Sequence, residues 1–217
     1  MKLKSFGCSF IFGSELSDQL GTAPSKLTWP AHLAQHLSYD YECYARPGAG
    51  NLQIAESVLN QLTATEPALY IIGWTWIDRF DYYPVASKTL NKSPWRTIMP
   101  IDTDPVAQVY YRDLHSEYRD KLTTLIHMQV VLDALVRAGN RYIMTYMDNL
   151  TFDQRWHTTL SVLSLQKLII PHMTRFDGQS FLDWSRAHDY PETKMWHPLE
   201  AAHKSAAEYL IANHNLV

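Results

Sequence analysis

The sequence predicts one α/β domain, a three-layer α/β/α arrangement around a mostly parallel sheet. Three observations carry this prediction: short apolar strands alternate with helical stretches, glycines mark where strands end, and the composition suits a globular core. Of 217 residues, 46% are hydrophobic and 19% charged, a balance typical of water-soluble domains. No apolar run approaches the roughly 18 residues of a membrane-spanning helix.

Residues 2–6 read as a short strand ending in Gly7-Cys8-Ser9, and residues 29–37 carry the apolar spacing of an amphipathic helix. A second strand at 41–45 closes in Pro47-Gly48-Ala49-Gly50. After it, Leu52, Ile54, Ala55, Val58, Leu59 and Leu62 recur on one helical face. Residues 68–72 form a compact apolar strand of the kind buried inside a parallel sheet. This strand–helix alternation is that of a doubly wound sheet.

From residue 73 to about 103 no period holds, and Pro84, Pro94 and Pro100 punctuate a stretch rich in Trp, Tyr and Asp. An aromatic-rich insertion is expected at about 74–112. Residues 110–138 then read as one long helix stopped by Gly139-Asn140, with a fourth strand at 141–146. Residues 148–190 are weakly patterned apart from a helix at 160–169. Pro198 opens a last helix reaching about residue 213. No repeat or linker interrupts the chain, so one domain over residues 1–217 is expected.

The net charge of −3 comes without the basic stripe that tracks a phosphate backbone, which argues against a nucleic-acid partner. The N-terminus turns glycine-rich before an apolar stretch of signal-peptide length forms, predicting synthesis in the cytoplasm. Cys8 and Cys43 form no CxxC pair and are expected to be reduced, buried thiols. Thirteen tyrosines and seven tryptophans, many between residues 74 and 118, offer surface for sugars or protein partners. Core and loop packing is the commoner use of such rings.

Four segments fall just after a strand or just before a helix, where open α/β sheets place their ligands. Gly7-Cys8-Ser9, after the first strand, can expose a serine hydroxyl on a tight turn with backbone N–H groups facing it; a plain helix-capping serine has the same spelling. Pro47-Gly48-Ala49-Gly50-Asn51 allows close backbone approach and can line an anion site. In Gly73-Trp74-Thr75-Trp76-Ile77-Asp78-Arg79, the Thr75 hydroxyl can reach the same crevice. Arg79 there is expected to make a structural salt bridge with Asp78 or Asp81, or to bind a carboxylate. Finally, His197 stands before Pro198 at the start of the last helix, placed to return to the serine. Residues Asn51, Trp74, Arg79, Lys194 and Glu192 are the candidates for substrate contact or support.

In order and content these segments resemble the blocks of the SGNH, or GDSL-type, hydrolases: a GDS-like serine turn, a glycine block, a GxND block and a DxxHP block. The likeness spans residues 6–203. It implies an SGNH-hydrolase-like, flavodoxin-like fold, with Ser9 as nucleophile, His197 as base, and Ser9, Gly48 and Thr75 around the oxyanion. His203 matches a helix position that is commonly histidine and not catalytic. No metal or organic cofactor is implied. The FGCSF start and GWT block are also similar to those of phage-encoded members, which implies a viral source and a virion role.

Three departures bear on mechanism. Cys8 replaces the usual aspartate of the turn. Thr75 replaces an asparagine, and loss of one oxyanion donor costs about 100- to 1000-fold in rate. Lys194 stands where an aspartate normally orients the imidazole, and spoiling that acid costs about 10⁴-fold. Glu192, Asp189 or Asp183 is the expected substitute; a Ser9–His197 dyad is the alternative.

Two functional readings follow. One is a serine esterase acting on a small-molecule or carbohydrate ester. The other is a catalytically weak or inactive SGNH-fold binding protein, for example a phage virion component, using the insertion to contact other subunits. A dinucleotide site is disfavoured because Gln53 replaces the third glycine and no acidic residue closes the strand near Ile72. His32 and His36 lack an acidic third ligand for a metal.

Overall fold

A computed structural model describes residues 1–62, 67–84 and 95–213. In chain order its elements are β1 (Lys2–Phe6), α1 (Ser9–Phe12), α2 (Trp29–Leu37), β2 (Asp40–Cys43), α3 (Asn51–Gln61) and β3 (Ala68–Trp74). Then come β4 (Phe80–Tyr82), β5 (Arg96–Ile98), α4 (Pro105–Val109), α5 (Glu117–Arg137) and β6 (Arg141–Tyr146). The chain ends with α6 (Leu160–Ile169), α7 (Phe181–Ala187) and α8 (Glu200–Asn213).

Strands β1, β2, β3 and β6 form a parallel sheet in the order β2-β1-β3-β6. Its register sets Ser5 against Cys43 and Ile71, and Gly73 against Thr145. The carboxyl ends therefore lie along one edge, and the loops after β2 and β3 flank the turn after β1.

Every residue of β3 is buried, which explains its unbroken apolar run. Successive side chains of a strand point to opposite faces. Leu69 and Ile71 accordingly join Phe10, Trp29, Leu33, Phe181 and Leu210 in one core. Tyr70, Ile72 and Trp74 join Ile54, Val58, Leu125, Met128 and Val131 in the other. The first core lies under α1, α2, α7 and α8, the second under α3, α5 and α6, which gives the three layers. At the β6 edge a single parallel bridge, Met144 to Met173, stands in place of a fifth strand.

Two expectations are corrected. The helix predicted over 110–138 is broken: a π-helical turn at Tyr110–Leu114 ends at His115, and α5 starts afresh with Ser116 accepting from the Arg119 amide. Tyr110 is held against Phe80 of β4, with ring centroids 4.1 Å apart, while its hydroxyl accepts from Arg119 and donates to Asp120 of α5, so the turn is tied to both the insertion and α5. The irregular stretch before residue 190 contains α7, capped by Ser180, whose hydroxyl oxygen accepts from the Asp183 amide at 3.2 Å. Inside the predicted insertion, β4 and β5 pair antiparallel. The 85–94 part of it lies outside the described residues. Among the described residues no helix is long and apolar enough to cross a membrane.

His203 on α8 is buried, and its Nδ1 accepts from the Trp29 amide at 3.2 Å. Burial disfavours the charged imidazolium and pushes the pKa down to about 3, against about 6.5 for an unfolded histidine. Between those values the unfolded chain binds a proton that the folded chain refuses. Stability therefore falls as pH drops from about 6.5 toward about 3, by at most about 1.4 kcal/mol per pH unit. Urea unfolding of wild type and His203→Gln at pH 7 and pH 5 reads this. The variant is expected to lose less on acidification, and an equal loss in both would refute the assignment.

Candidate active site

The site begins where β1 runs into α1. A Cβ on Gly7 would meet Ile11 Cγ1 at 2.6 Å and the Gly73 carbonyl oxygen at 2.9 Å, so only glycine lets the chain turn this closely past β3. Cys8 occupies the N-cap position and is buried, and Ser9 is the first residue of α1. The first turn of a helix leaves its N–H groups without intrahelical partners. Ser9 thus carries a hydroxyl and an available amide at the sheet's carboxyl edge.

The Ser9 hydroxyl lies 2.9 Å from His197 Nε2. His197 comes from the loop before α8, which is closed by the Thr193 amide donating to the His197 carbonyl at 2.9 Å and by the Leu199 amide donating to Pro191. Phe10 meets the imidazole edge-on at 5.2 Å and is itself edge-on to Trp76 at 5.5 Å. Two residues 188 positions apart are thereby brought into hydrogen-bond contact.

Behind the imidazole stands Glu15. Its Oε2 lies 2.5 Å from His197 Nδ1 and accepts from the Thr193 hydroxyl at 2.7 Å. A carboxylate only accepts, so Nδ1 carries the proton and Nε2 is left to accept from Ser9. The Thr193 hydroxyl first, then His197, holds the Glu15 carboxyl below its ordinary pKa. Glu15 has φ 69°, in the left-handed region that side chains other than glycine's seldom occupy. Gly13, with φ 79°, ends α1, and the chain folds back so that Ser9 and Glu15 address opposite nitrogens of one ring.

The carboxylates expected in this role are elsewhere. Glu192 is paired with Arg186 at 3.0 Å. Asp183 accepts from Asn149 at 2.6 Å and from Ser180 at 2.8 Å. Asp189 sits in a left-handed turn whose amide donates to Arg186. Lys194 is exposed. Sequence reasoning missed Glu15 because it followed the family spacing near His197; the available signal was that Glu15 is the first acidic residue of the chain and closely follows the serine turn.

Gly48 adopts φ 80°, and a Cβ there would meet nothing within 4 Å, so the backbone angle alone asks for glycine. Asn51 is buried and braces the site: its Oδ1 accepts from the Thr75 amide at 2.9 Å, and its Nδ2 donates to the Thr75 carbonyl and to Thr124, both at 3.2 Å. Thr75 is only 1% exposed, and its hydroxyl has no hydrogen-bond partner among the described residues. Trp74 is corrected as a substrate contact, because it is fully buried in the core beneath α3 and α5. Arg79 is corrected too: instead of an ion pair with Asp78 or Asp81, it donates to the Ala49 carbonyl at 3.0 Å and lies over the Trp76 ring at 5.0 Å.

No family model matches the chain, and no curated protein matches it in sequence. Solved structures do match in fold. A psychrotrophic esterase from Pseudoalteromonas sp. superposes with a TM-score of 0.54 at 10% identity, over 97% of this chain and 94% of that one. A member of the lipolytic protein G-D-S-L family from Veillonella parvula gives 0.50 at 8% identity over 100% of both chains. An acetyl xylan esterase from Butyrivibrio proteoclasticus gives 0.52 at 15% identity, over 97% of this chain and 62% of that longer one. The chain has the α/β fold of the SGNH, or GDSL-type, hydrolases.

Proposed function

We propose that the protein is a serine ester hydrolase. The observation that carries this is the hydrogen-bonded series Ser9–His197–Glu15 at the carboxyl edge of the sheet. The nucleophile touches its base, and the base is held in the required tautomer by a third group. In the forward step Ser9 Oγ attacks the acyl carbonyl while His197 Nε2 takes the hydroxyl proton. Glu15 steadies the imidazolium that forms. The amides of Ser9 and Gly48 hold the oxyanion, and the Thr75 hydroxyl, buried in the third block of the sequence pattern, is not needed for this step. His197 then protonates the departing alcohol, and water repeats the sequence on the acyl-enzyme.

A carbohydrate bearing an O-acyl group is the substrate we infer. Trp196, beside His197, is 59% exposed. Gly7 and Ala49 adjoin a polar cavity of about 300 Å³ that is also lined by Tyr44, Arg46, Tyr83 and Trp95. Half-buried and exposed rings beside polar groups, in a cavity bounded by Gly7 of the serine turn, suit a hydroxylated ring. The non-catalytic reading, including a virion component of the same fold, was motivated by Lys194 and Thr75. Glu15 supplies the carboxylate whose absence that reading invoked.

Labelling with a fluorophosphonate and hydrolysis of a short-chain nitrophenyl ester test the proposal, with Ser9→Ala as control. Wild type is expected to label and turn over, the variant to do neither. Absence of both in the wild type would leave the binding reading.

A further inference from the structure

Helix α3 starts without a cap of its own. Gly50 holds the N-cap position and has no side chain to offer the free amides of the first turn. The cap comes instead from Asp81 on β4. Its Oδ1 accepts from the Gly50 amide at 3.0 Å and its Oδ2 from the Gln53 amide at 2.9 Å. The Thr97 hydroxyl of β5 donates to Oδ1 at 2.5 Å. Asp81 is 6% exposed, and an ionised carboxylate tolerates such burial only when donors and a helix N-terminus satisfy it.

The fit is close. A Cβ on Gly50 would come within 2.5–2.7 Å of the three atoms of this carboxyl group, so Gly50 lets the acid reach the helix. One residue earlier, Arg79 ties the Ala49 carbonyl to the same insertion. Residues 49 and 50 are thus gripped by side chains from Arg79 and Asp81, while Gly48 itself, in its left-handed conformation, has nothing within 4 Å of where a Cβ would stand. Among the described residues the Ala49 amide donates to the Arg46 carbonyl and the Arg46 amide to the Gly7 carbonyl, and together with these two grips they fix the direction of the Gly48 peptide.

We propose that Asp81 is a positioning residue, a buried carboxylate that fixes the Gly48–Ala49–Gly50 loop so that the Gly48 amide faces the oxyanion formed at Ser9. The inference rests on the esterase reading. It assigns the insertion a task in catalysis: its first strand holds the second oxyanion donor in register with the nucleophile.

Asparagine at position 81 keeps one acceptor and turns its NH₂ group toward one of the two amides, Gly50 or Gln53, that already point at the carboxylate, so the loop loosens without losing its volume. A displaced donor costs about 10²-fold when the shift approaches 1 Å. Asp81→Asn is therefore expected to lower kcat about 10- to 100-fold with KM nearly unchanged, and to slow fluorophosphonate labelling in parallel. Counting reactive sites by end-point labelling separates this from a cap that merely stabilises, which would lower the active fraction and leave turnover per site intact. Thr97→Val, which removes one donor from the carboxylate and leaves its contacts to α3, is expected to give a smaller fall of the same kind with melting temperature retained. Turnover per labelled site within about twofold of wild type in Asp81→Asn, or in Thr97→Val should the first variant fail to fold, overturns the inference while the esterase reading stands. A wild type that neither labels nor hydrolyses overturns both.

Discussion

Ser9→Ala and His197→Ala are each expected to abolish all but a residue of ester hydrolysis, and the double variant to be no slower than either single one. The hydroxyl and imidazole are in direct contact at 2.9 Å, and groups that act as one unit give non-additive losses; in the best-studied serine enzyme of this logic either loss costs about 10⁶-fold in kcat. Here the measured fall is expected to be smaller, at least about 10⁴-fold. Thr75 stands where an amide donor is usual and its hydroxyl is buried, and a missing oxyanion donor is expected to lower the wild-type rate by an amount on the order of 100-fold. Nitrophenyl ester turnover for the three variants, against uncatalysed hydrolysis, checks this. Additive losses would mean that Ser9 and His197 act in different steps.

The sheet was legible because β3 is buried on both faces and so spells an unbroken apolar run, while glycines mark the ends of β1 and β2. The first strand, α2, β6 and α6 fall where the spacing predicts. Two misreadings have local causes. The apolar period runs through His115 and Ser116, where the backbone turns extended and Ser116 caps a new helix. The Ser180-Phe181-Leu182-Asp183 sequence is a legible helix start, but the weak pattern around it obscured α7.

Of the site, the pair of blocks holding Ser9 and His197 was legible, and what stands behind them was not. The acid of the relay is fixed by a left-handed turn at Glu15, a three-dimensional event with no spacing rule. The role of Asp81 is likewise invisible in sequence, because Gly50, the N-cap residue of the helix that it caps, lies 31 residues upstream of it. Asn51 illustrates the reverse case: it was singled out by position in the glycine block, and the structure turns its amide to the end of β3.

Glu15→Gln is expected to lower kcat about 10²- to 10³-fold with KM little changed. The amide can still accept from the Nδ1 hydrogen, yet it can also present its NH₂ group and stabilise the opposite tautomer, in which Nε2 carries the hydrogen and cannot take the proton from Ser9. Loss of the charge also removes what steadies the imidazolium. Where the acid is buried this substitution costs about 10⁴-fold. The Glu15 side chain is 43% exposed, so water shares the work of stabilising the cation and the penalty is smaller. The Thr193 hydroxyl keeps the Glu15 carboxyl ionised below its ordinary range. The carboxylate therefore supports catalysis at neutral pH and is lost only as pH falls below that range. Thr193→Val removes this donor together with the oxygen that accepts from the Met195 and His197 amides, and is expected to lower kcat at neutral pH without touching Ser9. Lys194→Asp is the decisive contrast: if Glu15 is the working acid, an aspartate restored at the family position leaves kcat within a few-fold of wild type and does not rescue Glu15→Gln, because the 2.5 Å contact to Nδ1 is already made from the N-terminal side. Rescue by Lys194→Asp would show that the imidazole turns to whichever carboxylate is offered, and that the turn at Glu15 is not what orients it.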